Sequence, residues 1–215
     1  MPEPMFHKSL PQFLDGLVPP RDAVMQEMEE YARKVKFPII GPAGGYFNYQ
    51  LARMTGAKRI FELGSGYGYS TSWFAKAVKE NGGGVVNHVV WDDQLSQMAR
   101  EYHKRQGYDS IVKYHVGEAV AALDAIAGEE KFDLMFNDID KHGYPASIAV
   151  IKKKLRKGGT LIIDNMLWHG AIFDAANTED DTEGIREVTR MLTTDPEFIT
   201  TLVPIRDGML VAHRQ

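Results

Sequence analysis

Two acidic clusters and one glycine-rich turn are the parts of this chain whose residue types and spacing suit chemistry. The first cluster is Asn137-Asp138-Ile139-Asp140-Lys141 and the second is Asp164-Asn165. Each closes a short apolar run, so each stands where a strand should end. If those strands are parallel neighbours, Asp138, Asp164 and Asn165 converge on one point. Oxygen donors with no nearby His or Cys suit a hard divalent cation such as Mg²⁺, with water or substrate completing six positions. The local alternative makes Asp138 and Asp140 helix caps and Asp164-Asn165 a turn. Lys141, three residues beyond Asp138, becomes a candidate general base, because a cation beside it disfavours the ammonium form. Away from such a cation it is an ordinary surface lysine.

The turn is Glu62-Leu63-Gly64-Ser65-Gly66-Tyr67-Gly68. Gly64 and Gly66 permit tight backbone geometry and close approach of a ligand. Ser70 and Thr71 open the following helix, whose free N–H groups can hold a carboxylate. Tyr69 stands where a dinucleotide fingerprint needs a third small residue, and no lysine follows as in a phosphate-binding loop. Glu62 would repel a pyrophosphate but accept hydrogen bonds from an ammonium group. S-adenosylmethionine has an ammonium and no phosphate, so the turn reads as its site. A turn serving only to connect strand and helix is the competing reading.

Asp92 and Asp93 follow the second apolar run. One can accept bonds from ribose hydroxyls while the other caps the next helix. Trp91 either flanks the adenine or belongs to the core. The seven histidines show no ligand spacing. His142 and His169 fall in the expected site loops, whereas His88 lies inside a strand and should be packed and hydrogen-bonded.

The elements that must position these residues follow from periodicity. Strand-length apolar runs occupy 58–63, 85–91, 111–116, 132–137 and 160–164, with helical stretches at 70–80, 94–106, 118–127 and 144–156 between them. Earlier helical stretches cover 22–35 and 46–55. Strands alternating with helices of this length predict right-handed crossovers and a Rossmann-like, doubly wound, mostly parallel sheet with helices on both faces. After a loop at 165–181 and a helix near 182–194, short strands near 199–204 and 208–213 are joined by Arg206-Asp207-Gly208. They form a terminal hairpin that completes seven strands and adds an antiparallel one. Ligands of such sheets bind at the carboxyl ends of the strands, where the glycine turn, Asp92-Asp93 and both acidic clusters fall.

The chain has 215 residues, 44% of them hydrophobic and 25% charged, which fits one α/β domain over 1–215 with residues 1–45 as a helical extension. It has no cysteine, which excludes thiolate catalysis and disulfides and suits a reducing, cytoplasmic setting. No 18-residue apolar stretch marks a membrane span. The net charge of −4 argues against a nucleic-acid coat protein. Lys152-Lys153-Lys154-Leu155-Arg156-Lys157 precedes Gly158-Gly159, so it reads as the basic end of a helix rather than a phosphate patch.

Taken in order, FELGSGYGYS, NDIDKHGY and LRKGGTLIIDNMLWHG resemble the class I O-methyltransferases of the catechol and caffeoyl-CoA type. That family carries a D-x-x-K element and an I-D-N-x-L-W-x-G element at these two places, and the resemblance runs over nearly the whole chain. It implies methyl transfer from S-adenosylmethionine to a hydroxyl of a small catechol-like or phenolic acceptor, assisted by a divalent metal. Asp138, Asp164 and Asn165 would bind the metal and Lys141 would be the base. Glu62, Gly64, Gly66, Ser70, Ala119 and Asp138 would line the cofactor, with Ile40 and Gly41 closing over it; Asp92 would reach the ribose only through a shifted loop, or that contact is lost. Trp168 and His169 would touch the acceptor, with Phe6, Phe13 and Phe173 as further candidate walls. A homodimer is the expected assembly. Two alternatives keep the cofactor: a hydroxylated tRNA base as acceptor, or a binding module with a lapsed site. Three departures stand out. Val90 occupies the usual place of the ribose acid, Gly41-Pro42-Ala43-Gly44 replaces a segment with Ser or Thr and acids, and Asn137 replaces an apolar or small residue.

Overall fold

The computed structural model describes residues 7–127 and 131–215. Its strands are β1 (Arg59–Leu63), β2 (Val85–Val90), β3 (Val112–Val116), β4 (Phe132–Asn137), β5 (Leu155–Ile163), β6 (Phe198–Val203) and β7 (Met209–Arg214). They form one seven-stranded sheet in the order β3-β2-β1-β4-β5-β7-β6. Strands β1 to β5 pair in parallel, while β7 runs antiparallel to both β5 and β6. The order reverses between β1 and β4, which opens a crevice at their carboxyl ends. This is the Rossmann-like architecture expected from the strand–helix rhythm.

Parallel neighbours need a crossover, and the helices supply it. They are α1 (Leu10–Gly16), α2 (Ala23–Val35), α3 (Gly41–Met54), α4 (Tyr69–Glu80), α5 (Asp93–Arg105), α6 (Ala119–Asp124), α7 (Tyr144–Lys154) and α8 (Asp180–Thr194). Side-chain alternation along the strands divides the core. Ile60, Leu134, Phe136 and Ile162 pack with Met28, Trp73, Phe74 and Tyr102 of α2, α4 and α5. Phe61, Leu63, Met135, Leu161 and Ile163 pack with Leu123, Tyr144, Ile148 and Val188 of α6, α7 and α8. Both faces are covered, which is why β1 and β4 read as nearly continuous apolar runs.

The structure differs from the sequence expectation in three places. Helix α3 begins at Gly41, five residues before the expected start. Its cap is not local: the Asp15 carboxylate of α1 accepts from the Ala43 N–H at 2.9 Å. Strand β5 begins at Leu155, so Arg156 lies in the sheet and pairs with Asp133 at 2.7 Å. Lys152 does close α7, where it pairs with Asp195 and Glu197. Strand β2 stops at Val90, and Trp91 is 83% exposed rather than in the core. Among the described residues no helix is long and apolar enough to cross a membrane.

Candidate active site

The parallel register sets Asn137 of β4 opposite Ile163 of β5, so Asp138 and Asp164 are the next residues out of the sheet on adjacent strands. Asp138 N–H donates to the Leu63 carbonyl at 2.8 Å, and Asp164 N–H donates to the Asn137 carbonyl at 3.2 Å. The acid pair and the glycine turn therefore share the crevice at the β1–β4 reversal. Gly64 has φ 84°, and a Cβ there would lie 2.4 Å from the Asp138 carbonyl oxygen. Only glycine satisfies both the left-handed backbone and that close approach.

Asp164 is 2% exposed, and its Oδ1 has no hydrogen-bond partner among the described residues. Burial above all, with the Asp138 charge second, pushes the Asp164 carboxyl up to about 7. Burial also raises Asp138, against the opposing pull of Lys141. The Lys141 ammonium donates to Asp138 Oδ1 at 2.8 Å and to the Ile139 carbonyl at 3.1 Å. It lies 5.4 Å from the Tyr144 ring centre and 5.8 Å from that of Trp168. Tyr144 in turn donates its hydroxyl to the Asp164 carbonyl at 3.0 Å. Asn165, Trp168 and His169 all adopt left-handed backbone angles (φ 59°, 45° and 52°). For a residue as large as Trp such a conformation is a local strain, and strain of this kind gathers at functional loops.

At the end of β1 the polar side chains satisfy one another. Glu62 is fully buried, and the Ser70 and Thr71 hydroxyls donate to its two carboxylate oxygens. Burial still outweighs these bonds and lifts the carboxyl to about 7. Thr71 Oγ1 also lies 3.0 Å from His88 Nδ1. His88 is therefore packed and hydrogen-bonded as expected. Helix α4 has no side-chain cap of its own at Gly68, which leaves its first N–H groups for a ligand carboxylate.

The remaining candidates are placed as follows. The Asp92 carboxylate caps α5 through the Leu95 N–H at 2.9 Å, and Asp93 accepts from Gln97 at 2.6 Å. Both acids are thus engaged within their own helix. Ala119 is buried at the first turn of α6 behind Glu118, which caps it. Ile40 is buried immediately before Gly41. The Asn137 side chain turns away from the crevice and donates to Ser147 Oγ of α7 at 2.9 Å. Trp168 stacks on His169, whose N–H is held by Asp207 at 2.7 Å. Phe13 and Phe173 are exposed, and Phe6 lies outside the described residues. Among the described residues no three His, Asp or Glu side chains gather as a ligand cage.

Two contributors were not legible beforehand. His103 of α5 is fully buried, and its Nε2 lies 2.9 Å from the Gly68 carbonyl. A carbonyl can only accept, so that nitrogen carries the proton, and Nδ1 accepts from the Tyr114 hydroxyl at 2.9 Å. The ring thereby fixes the glycine turn from below, where a Cβ on Gly68 would clash at 2.6 Å. The second is Arg206, whose charge acts on both Asp138 and Asp164. The hairpin turn marked its position but not its direction.

Residues 20–215 match the profile of a family described as O-methyltransferase. A catechol O-methyltransferase of Niastella koreensis is 30% identical over 180 residues, covering 80% of each chain. An O-methyltransferase from Bacillus cereus, solved in complex with SAH, superposes with a TM-score of 0.87 at 26% identity, over 96% of this chain and 97% of that one. One from Streptomyces achromogenes involved in tomaymycin synthesis, solved with SAM, shares the fold with a TM-score of 0.85 at 24% identity, over 96% of each chain. The chain belongs to this O-methyltransferase family.

Proposed function

We propose that this member of the O-methyltransferase family moves the methyl group of S-adenosylmethionine to a hydroxyl of a small catechol-like or phenolic acceptor, with a divalent cation, Mg²⁺ by donor chemistry, at Asp138, Asp164 and Asn165. The observation that carries this reading is the convergence of Asp138 and Asp164 from register-paired strand ends, with one buried Asp164 oxygen lacking a partner. A buried carboxylate oxygen without a donor is costly, and an all-oxygen set of two acids and an amide fits a hard cation. When bound there, such a cation supplies Lewis acidity that lowers the pKa of an acceptor hydroxyl.

The protein's own groups do the rest. Lys141 is held at 2.8 Å from Asp138 and can take the hydroxyl proton as the neutral amine. The acceptor oxygen then attacks the sulfonium methyl carbon as the carbon–sulfur bond breaks, so no covalent enzyme species is required. Positioning is the main contribution. Gly64 and Gly66 allow the cofactor close to the backbone, and the open first turn of α4 receives its carboxylate. Glu62, already bonded to Ser70 and Thr71, holds that turn in place rather than presenting a free oxygen. The relatives support this reading, since one is a catechol O-methyltransferase and another was solved with SAH.

A screen of catechol-type phenols with S-adenosylmethionine, with and without Mg²⁺ and beside bulk tRNA, tests the proposal. Mg²⁺-dependent methylation of a small phenol is expected. Transfer to tRNA alone, or cofactor binding with no transfer to any phenol, would overturn it.

A further inference from the structure

The turn between β6 and β7 carries a residue that the fold does not require. Arg206 is exposed, and its backbone is left-handed at φ 52°, a conformation that favours glycine. Its guanidinium makes no hydrogen bond or ion pair with another described residue. The side chain nevertheless has a defined place. Its Cδ lies 2.9 Å from where a Cβ on Gly44 would stand, and its Nε 3.8 Å from where one on Gly41 would. The stem therefore fills the space left by two glycines at the start of α3.

The turn is also fastened to the loop that leaves the acid pair. Leu167 N–H donates to the Asp207 carbonyl at 2.7 Å, and Met166 N–H to the Gly208 carbonyl at 3.0 Å. Asp207 Oδ1 holds the His169 N–H as well. Arg206 is thus fixed between α3 and the Asp164–Trp168 loop, with its donors uncommitted. In the sheet order the glycine turn follows β1, whereas the hairpin lies on the other side of β4 and β5. The acids stand between the two, and the Arg206 charge acts on both of them. The segment over which it lies, Gly41 to Gly44, has no acidic side chain of its own, and the Asp15 carboxylate beside it is engaged by the Ala43 N–H.

We propose that Arg206 is a specificity-determining residue that pairs with a carboxylate on the acceptor, so that acidic catechols are preferred to neutral ones. A planar fork of donors suits a carboxylate in particular. This rests on the phenolic-acceptor reading above.

The test compares 3,4-dihydroxybenzoate with catechol at saturating S-adenosylmethionine, in the wild type, Arg206→Gln and Arg206→Lys. The wild type should favour the acid. Arg206→Gln should lose roughly 10- to 100-fold in kcat/KM for the acid, mainly through KM, as expected for one charge-assisted contact. Catechol, which feels only the Arg206 charge on Asp138 and Asp164, should lose clearly less than the acid, and Arg206→Lys should restore part of the acid's loss. Calorimetric affinity for S-adenosylhomocysteine should not change. A loss shared equally by both acceptors, or no change for either, would overturn the proposal. A fall in S-adenosylhomocysteine affinity without a change in acceptor preference would also overturn it, placing the carboxylate on the cofactor. If neither phenol is methylated, the phenolic reading fails by itself. Calorimetry of dihydroxybenzoate with the protein saturated in S-adenosylhomocysteine then decides separately: binding weakened in Arg206→Gln supports the charge pairing, and equal or absent binding removes it.

Discussion

The ends of β1 and β5 each bury an acid whose carboxyl rises to about 7, yet the two acids are treated differently. Around Glu62 each carboxylate oxygen receives a hydroxyl, from Ser70 and from Thr71. At Asp164 one oxygen has no partner among the described residues. Equal burial therefore does not imply equal purpose. An acid whose oxygens are all answered from within the protein secures a turn. An acid left with an open oxygen beside a second acid and a lysine is prepared for something from outside.

The largest effect that separates the two ends should come from Lys141→Ala. Loss of a positioned base is expected to lower kcat by about 10²- to 10⁴-fold, with the unfolding midpoint little changed; steady-state turnover beside thermal melting checks both. Full turnover in that variant would remove the base assignment. The converse holds at β1. Glu62→Ala strands two buried hydroxyls and opens a cavity, so chemical denaturation should show a loss of roughly 2–4 kcal/mol. A stability equal to wild type would mean that the hydroxyl network is not structural.

A pH series sharpens the contrast. The native state holds the Glu62 proton up to about 7, whereas the carboxyl ordinarily releases it near 4.5. Between those values the folded form binds more protons than the unfolded form, so stability falls as pH rises through that window and levels off above it. Asp164, raised likewise, adds a slope of the same sign, so Glu62→Gln should reduce the slope without abolishing it, as read from denaturation midpoints at pH 5 and pH 8. An unchanged slope would show that Glu62 does not carry it. The smallest effect concerns Arg206→Gly. Relieving one left-handed residue should stabilise the fold by about 1 kcal/mol, raising Tm by roughly 2–4 °C. Scanning calorimetry showing a fall would mean that the side chain supports the turn.

What the sequence made legible was whatever depends on near neighbours. The strand–helix rhythm, the hairpin around Arg206-Asp207-Gly208 and the strand-end positions of Asp138 and Asp164 all follow from period and turn chemistry. What escaped depends on distant parts of the chain or on which of two local roles a side chain takes. Helix α3 starts early because Asp15 caps it from 28 residues away. Trp91 looked equally suited to core and rim, and only the end of β2 at Val90 puts it outside. Asp92 and Asp93 offered both a cap and a ribose contact, and their bonds to Leu95 and Gln97 engage both locally. His103 had no signature, since its target is a backbone carbonyl. That Ser70 and Thr71 turn back onto Glu62 is set by how α4 leaves the glycine turn, which no local pattern marks.

The open acid pair is proposed to work with a divalent cation in methyl transfer. The most direct test is product formation from catechol and S-adenosylmethionine by chelator-stripped protein, before and after Mg²⁺ is restored, in the wild type and Asp164→Asn. Turnover should vanish on stripping, return with Mg²⁺ in the wild type, and stay low in the variant. Undiminished turnover in stripped protein, or in Asp164→Asn without the cation, would contradict it.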